Sequence, residues 1–244
     1  MLRRHSSLRV PAACRPGNDQ KGLTLRAETQ SIEEYVEGIY RLHEDVHRVT
    51  TGEVANYMSV SPGSATTMIK RLHELGYVVH LPYQGLTLTE KGRQLAKRLV
   101  RAHRVLENFL QQSLDLDWHE VHEIACRLEH HLSDEQIDMI WEKCGKPATC
   151  PHGNPVEVEK DLGDKPLAEA EVGAPLSVTR ITDERAEFLQ HLRSIGLVPG
   201  AALLLSSKGS VDSIYHLERN GEKLSVGPEV AYHVWVVREG TRSF

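Results

Sequence analysis

The stretch TTGEVANYMSVSPGSATTMIKRLHELG, residues 50–76, contains two helix starts within a dozen residues of each other. TTGE sets Thr50 three residues before Glu53, the reciprocal arrangement that satisfies free amides at a helix start, and the helix it opens runs through about Met58. After a short break Ser61 stands as a second cap, with Pro62 at the first helical position, where a missing N–H costs nothing. Gly76 ends this helix. A short helix, a tight turn and a helix beginning Ser-Pro form a helix-turn-helix arrangement, whose second member projects Ser64, Thr66 and Thr67 from its first turns. Those side chains are the ones expected to meet base edges.

Upstream, SIEE at 31–34 reads as a capping box opening a first helix with apolar Ile32, Tyr35, Val36, Ile39 and Leu42 at helical spacing. Downstream, YVVHL and LTLT flank PYQG as a two-stranded hairpin, the wing of a winged helix spanning residues 31–95. Thr89 caps a long helix through about Gln112 with Leu95, Leu99, Leu106 and Leu110 as its seam. Asp117 with Glu120 opens another, and Ser133 with Gln136 a third that ends at Gly145. These helices, residues 96–155, lack an apolar centre of their own, which predicts pairing with a second subunit. Residues 156–173, rich in Pro, Gly and charge, read as a linker. PLSVTRI, a short helix ending in Gly196, AALLLSS, a hairpin about Asn220-Gly221 and HVWVVRE then predict a small β-barrel with an inserted helix over residues 174–240. The fold class is mainly α with a small β-barrel.

Composition narrows the function. No run of 18 apolar residues occurs, which predicts that nothing spans a membrane. The first thirty residues carry six lysines and arginines against Asp19 and Glu28, without the apolar core of a signal sequence, and read as a disordered basic tail over 1–30. Four cysteines without a CxxC pair fit a reducing cytoplasm, and Cys144, Cys150 and His152 match no common zinc spacing and read as a turn. The formal net charge is −5, yet between Pro62 and Arg104 eight lysines and arginines stand against two glutamates. Among them Lys70, Arg71, Arg93 and Lys97 are candidates for phosphate contacts on duplex DNA. Short Ser and Thr side chains offer no bidentate contact to guanine, so recognition should depend on DNA shape, thymine methyls and water.

A second stretch, HEIACRLEHH at 122–131, gathers His122, Cys126, Glu129 and His130. At about 100° per residue all four fall within about a third of a helix circumference, beside the apolar arc of Val121, Ile124, Ala125 and Leu128. Imidazole, thiolate and carboxylate are donor classes for a first-row divalent metal, and other segments must supply the remaining ligands.

A winged helix, helices bearing this motif and a small barrel together resemble the diphtheria-toxin-repressor family of metal-dependent transcriptional regulators, which includes iron and manganese regulators. The resemblance covers residues 31 to about 240 and centres on RAHRVLE at 101–107, VHEIACRLEHHLSDE at 121–135 and GNP at 153–155. It implies a SH3-like, FeoA-like barrel and two metal sites per subunit. In what resembles the primary site, Cys126, Glu129 and His130 stand at ligand positions. Glu34 stands where iron-type members have methionine and manganese-type members aspartate, and Glu37 matches a carboxylate used by manganese-type members. The ancillary site is matched by His103, Glu107 and His122, with Glu184 and Glu187 where the third domain lends further ligands. FLQHLRSIGLVPG is similar to the small barrel of ferrous-iron-transport accessory proteins.

Thiolate favours iron(II) while carboxylates favour manganese, so Cys126 points to Fe2+ and Glu34 with Glu37 tilt the donor set towards Mn2+. The family implies a cytoplasmic homodimer in which metal acts as co-repressor on operator DNA of metal-homeostasis genes, with no membrane and no small organic substrate as partner. Two alternatives are a winged-helix regulator of a non-metal signal and a metalloenzyme; nothing resembles HExxH or another hydrolytic motif.

Overall fold

The structure, a computed structural model, describes residues 24–45, 49–81, 85–209 and 214–240. It divides into two compact units, one holding the chain through His103 together with Glu123–Asp138, the other holding Arg104–His122 together with the chain from Met139.

In the first unit α1 (Thr24–Asp45), α2 (Thr51–Tyr57) and α3 (Pro62–Glu74) precede the hairpin β1 (Val78–Leu81) and β2 (Gly85–Leu88). The helices α4 (Glu90–Leu114), α5 (Val121–Leu128) and α6 (Asp134–Lys143) follow, each having residues in both units. The caps behave as their chemistry dictates. Thr50 Oγ1 accepts from Glu53 N at 3.2 Å while Glu53 Oε2 accepts from Thr50 N at 2.7 Å. Ser61 Oγ accepts from Ser64 N at 3.1 Å, which pins the start of α3. Val36 and Ile39 of α1, Val54 and Ala55 of α2, and Ala65, Ile69 and Leu72 of α3 are buried as the core that holds the helix-turn-helix in shape. Thr89 Oγ1 caps α4 by accepting from Gly92 N. Gly92 has no substitute, because a Cβ there would stand 2.1 Å from the Tyr77 carbonyl oxygen. The wing strands pair His80 with Leu86, and residues 82–84 of the expected PYQG tip lie outside the described residues.

One helix start differs from expectation. The helix predicted to begin at Ser31 begins at Thr24 instead. TLRAETQ holds no Pro or Gly and several strong helix formers, so the helix propagates back past a serine that could have capped it. Gln30 Nε2 donates to Glu34 Oε1 at 3.0 Å, an i,i+4 bond inside a helix rather than a box at its end. Of the expected basic tail, residues 1–23 lie outside the described residues.

In the second unit β3 (Lys165–Pro166), β4 (Pro175–Ile181), α7 (Ala186–Ser194), β5 (Ala202–Lys208), β6 (Tyr215–Arg219), β7 (Glu222–Val226), α8 (Pro228–His233) and β8 (Val234–Arg238) form the small β domain. Its sheet runs β3-β8-β4-β5-β6-β7, with register shifts at Val178/Arg180 and Leu205/Ser207 that bend the strands. Asn220 and Gly221 both adopt positive φ, as the two-residue turn between β6 and β7 requires. The core collects Leu176, Val178 and Ile181 with Leu189, Leu192, Leu205 and Val236, and Trp118 joins it from ahead of α5. Sequence reasoning counted five strands. The sixth, β3, pairs with β8 inside the stretch read as linker, and Leu167 beside it is fully buried. Two paired residues and one leucine are too short a pattern for periodicity to detect.

Candidate metal centres

In the first unit, buried ionisable side chains converge from α1, α4 and the end of α5. His103 Nδ1 lies 2.7 Å from Glu129 Oε2 and 3.9 Å from Cys126 Sγ. His130 Nε2 lies 3.4 Å from Glu129 Oε1. Glu37, one turn along α1 from Glu34, is buried and accepts from Arg41 Nε at 2.9 Å. Burial works to raise the Glu37 carboxyl, but Arg41 and His103 overcome it and hold it at about 2. Glu34 is partly buried; loss of solvent raises it, against the Gln30 hydrogen bond and the attraction of His130. Burial would lower His130, yet the Glu33 hydrogen bond and the α1 carboxylates raise it.

The end of α5 decides this geometry. The α-helix stops at Leu128 and Glu129–His131 tighten into a 3-10 turn, so the single arc expected for residues 122–131 is broken. Cys126, Glu129 and His130 serve the first cluster. His122, on the same helix, belongs to the second unit, where Glu184 and Glu107 are its neighbours.

There His122 Nδ1 lies 3.0 Å from Glu184 Oε2 and 3.6 Å from Glu107 Oε1. His152 Nδ1 lies 3.2 Å from Glu107 Oε1 and 3.6 Å from Glu184 Oε1, with Cys150 Sγ at 3.9 Å. One potential ligand atom from each of Glu107, Cys150, His152 and Glu184 lies within 4.8 Å of the others, and all four residues are buried. Ligands on opposite sides of one ion stand about 4 to 4.6 Å apart, so the spread suits a single cation. The turn that brings Cys150 and His152 in is built by GNP. Cys150 N donates to Asn154 O, and Asn154 Nδ2 donates both to Ile181 O and to Glu184 Oε1. Gly153, at φ 86°, packs so closely that a Cβ would stand 2.0 Å from Thr179 O. His152 Nε2 donates to Trp118 O at 2.7 Å, which leaves Nδ1 as the nitrogen facing the carboxylates. Burial works against protonating His122, but Glu107 and Glu184 bring it up to about 9. The same two carboxylates and Cys150 outweigh burial at His152 and raise it well above its ordinary range. Burial and Glu107 push the Cys150 thiol up to about 11. Glu184 is held well below the carboxylate range by the two imidazoles, against burial and Glu107.

Sequence reasoning missed Cys150 and His152 as candidate ligands. They do form a turn, as expected, and the turn aims both side chains inward. The signal that could have found them is GNP itself, since glycine and a bonding asparagine beside Cys and His mark a wall built around something. Glu187, expected as a ligand, is exposed on the first turn of α7 and lies outside the cluster. His103 was expected beside Glu107 and His122; within the first unit its Nδ1 faces Glu129 and Cys126. Glu33, absent from the expected donor set, holds His130.

The expected DNA face is accessible. Ser61, Pro62, Ser64 and Thr67 are exposed and Thr66 is partly so. Thr66 and Thr67 spend their hydroxyl hydrogens on Pro62 O and Gly63 O, which leaves lone pairs and methyl groups for a partner. Lys70, Arg71 and Arg93 are exposed and Lys97 half-buried. Of the other four basic residues in the run, Lys91 donates to Leu75 O, Arg98 pairs with Glu33 and Asp134, Arg101 with Asp138, and buried Arg104 donates to Pro155 O.

A winged helix combined with buried imidazole, carboxylate and thiol clusters defines a metal-responsive DNA-binding class. Residues 28–86 match the family model of the iron dependent repressor N-terminal DNA binding domain and residues 89–157 that of the iron dependent repressor metal binding and dimerisation domain. Residues 165–238 match the FeoA domain. An HTH-type transcriptional regulator of Methanocaldococcus jannaschii is 43% identical over 46% of this chain and 90% of its own length. The HTH-type transcriptional regulator MntR of Lysinibacillus sphaericus is 40% identical over 46% of this chain and 80% of its own. A solved manganese-dependent transcriptional repressor in complex with manganese superposes with TM-score 0.79 at 30% identity, over 85% of this chain and 99% of that one. The chain belongs to the diphtheria-toxin-repressor family of iron- and manganese-dependent repressors. That family is one of transcriptional repressors and not of enzymes, which removes the metalloenzyme alternative. Among the described residues no helix is long and apolar enough to cross a membrane.

Proposed function

We propose that this chain is a cytoplasmic, homodimeric repressor of metal-homeostasis genes that binds operator duplex when loaded with Mn2+ or Fe2+. The observation that carries this reading is the first cluster. Glu37 and Glu129 are buried with His103 and Cys126, and the half-buried His130 joins them, so carboxylate, imidazole and thiol donors for one divalent cation converge beside an apolar core. A divalent ion at this point would compete with Arg41 for Glu37 and favour whichever arrangement of α1 against α4 and α5 holds the donors together. Cys126, Glu129, His130 and His103 would hold it with Glu34 and Glu37 from α1, the first helix of the DNA-binding domain. Two α1 carboxylates against one thiol favour Mn2+. Glu107, His122, Cys150, His152 and Glu184 would form the second site.

In the dimer, α3 of each subunit would enter successive major grooves, with Ser61, Pro62, Ser64, Thr66 and Thr67 at base edges and Lys70, Arg71, Arg93 and Lys97 on phosphates. The reading is tested by fluorescence anisotropy of operator duplex titrated with protein in chelator and in Mn2+ or Fe2+. Metal is expected to tighten binding by at least an order of magnitude. Equal affinity in chelator would favour the regulator of a non-metal signal.

A further inference from the structure

Glu33 and Glu34 are neighbours on α1, and only Glu34 stands at a position the resemblance marks as a ligand. The structure gives them different tasks. Glu33 Oε2 lies 2.8 Å from His130 Nδ1, a contact across 97 residues of chain, and Glu33 Oε1 accepts from Arg98 Nη2 at 3.1 Å. The Glu33 side chain is 12% exposed and that of His130 3%. Arg98 is itself steadied by Asp134 at 3.5 Å. A carboxylate can only accept, so His130 presents its proton at Nδ1 and its lone pair at Nε2. Nε2 is the nitrogen 3.4 Å from Glu129 Oε1, close to the spacing of about 3 Å between adjacent ligands on one ion.

We propose that Glu33 is a positioning residue for the first cluster: it fixes the tautomer and ring orientation of His130 and, held on its other oxygen by Arg98, stays off the metal itself. This rests on the metal reading of that cluster. A metal-binding histidine whose second nitrogen is bonded to a carboxylate is more basic and better oriented than a free one, and loss of such a partner costs about 10–100-fold in metal affinity.

The test uses full-length protein with 15N-labelled histidine, titrated with Zn2+ as a diamagnetic probe, alongside Glu33→Ala and Glu33→Gln. In the unsubstituted protein His130 is expected as a single Nδ1–H tautomer whose Nε2 shifts on metal addition. Glu33→Ala is expected to weaken binding at His130 about 10–100-fold and to mix the tautomers. Glu33→Gln keeps an acceptor oxygen and should remain within about tenfold of the unsubstituted protein. The ring nitrogens of His122 and His152 in the same spectra report the second cluster and should respond to metal alike in all three, showing an intact fold. Unchanged affinity and tautomer in Glu33→Ala would overturn the proposal alone. A Gln variant as weak as the Ala variant would make Glu33 a direct ligand and overturn it too. No metal response at His130 in the unsubstituted protein would overturn the metal reading, and this inference with it.

Discussion

Cys126 is 9% exposed and its Sγ sits 3.9 Å from His103 Nδ1. Cys126→Ala removes a proposed donor while leaving only a small void. Metal-dependent operator binding should fall by at least tenfold at limiting metal, with circular dichroism and dimer size unchanged. Operator affinity equal to that of the unsubstituted protein would identify Cys126 as a core thiol. The carboxylates of the β domain separate in the same way. Glu184 is buried among His122, His152 and Asn154, whereas Glu187 faces solvent. Glu184→Gln should raise the metal concentration needed for half-maximal DNA binding, and Glu187→Gln should leave the titration curve in place. A shift in the Glu187 variant would return that residue to the site.

At the scale of elements, the proposed interaction with DNA would draw on α3 and the start of α4 through two kinds of residue. Arg71 lies 3.7 Å from Glu74 on an exposed face, a pair that solvent screens and that a phosphate can displace. Arg71→Ala or Lys97→Ala should therefore weaken binding to all duplexes and flatten the salt dependence, by about one unit of slope for each phosphate no longer neutralised. Thr67 spends its hydroxyl hydrogen inside the helix, so Thr67→Ala removes mainly a methyl and an acceptor. Its effect should differ from one operator sequence to another, which competition binding on a small set of half-site variants will read out. Uniform weakening would place Thr67 on the backbone.

For the whole molecule, the second cluster ties stability to pH in a way that metal reverses. His122 moves from its ordinary 6.5 up to about 9 in the fold. A raised histidine contributes stability that is complete below about 6.5 and is lost as pH rises through about 9. Glu184, held well below 4.5, contributes stability that is present above that value and lost as pH falls through its lowered one. Chelated protein should thus melt at its highest temperature in the weakly acid range and lose stability towards both ends. Metal must displace the imidazole protons, so its stabilising increment should grow with pH. Thermal midpoints in chelator and in Mn2+ across this range will show the two curves diverging as pH rises; parallel curves would mean that no proton leaves His122 or His152 on binding.

The sequence alone determined the elements whose signals are local. Thr50, Ser61 and Pro62 place α2 and α3 because a cap acts within one turn of chain, and Asn220-Gly221 places its turn because two residues suffice for it. It also gathered His122, Cys126, Glu129 and His130, four side chains of donor type, within one short stretch. The tertiary structure alone decided how those donors are shared. A 3-10 turn at Glu129 ends the helical arc, so Glu129 and His130 leave the α-helical spacing that His122 and Cys126 keep. It also brought Cys150 and His152 to Glu107 and Glu184, and Glu33 to His130 across 97 residues. Pairings of that kind carry no periodicity. They arise from burial, which forces every charged group into the reach of a partner, and the partner's distance along the chain leaves no mark on the local sequence.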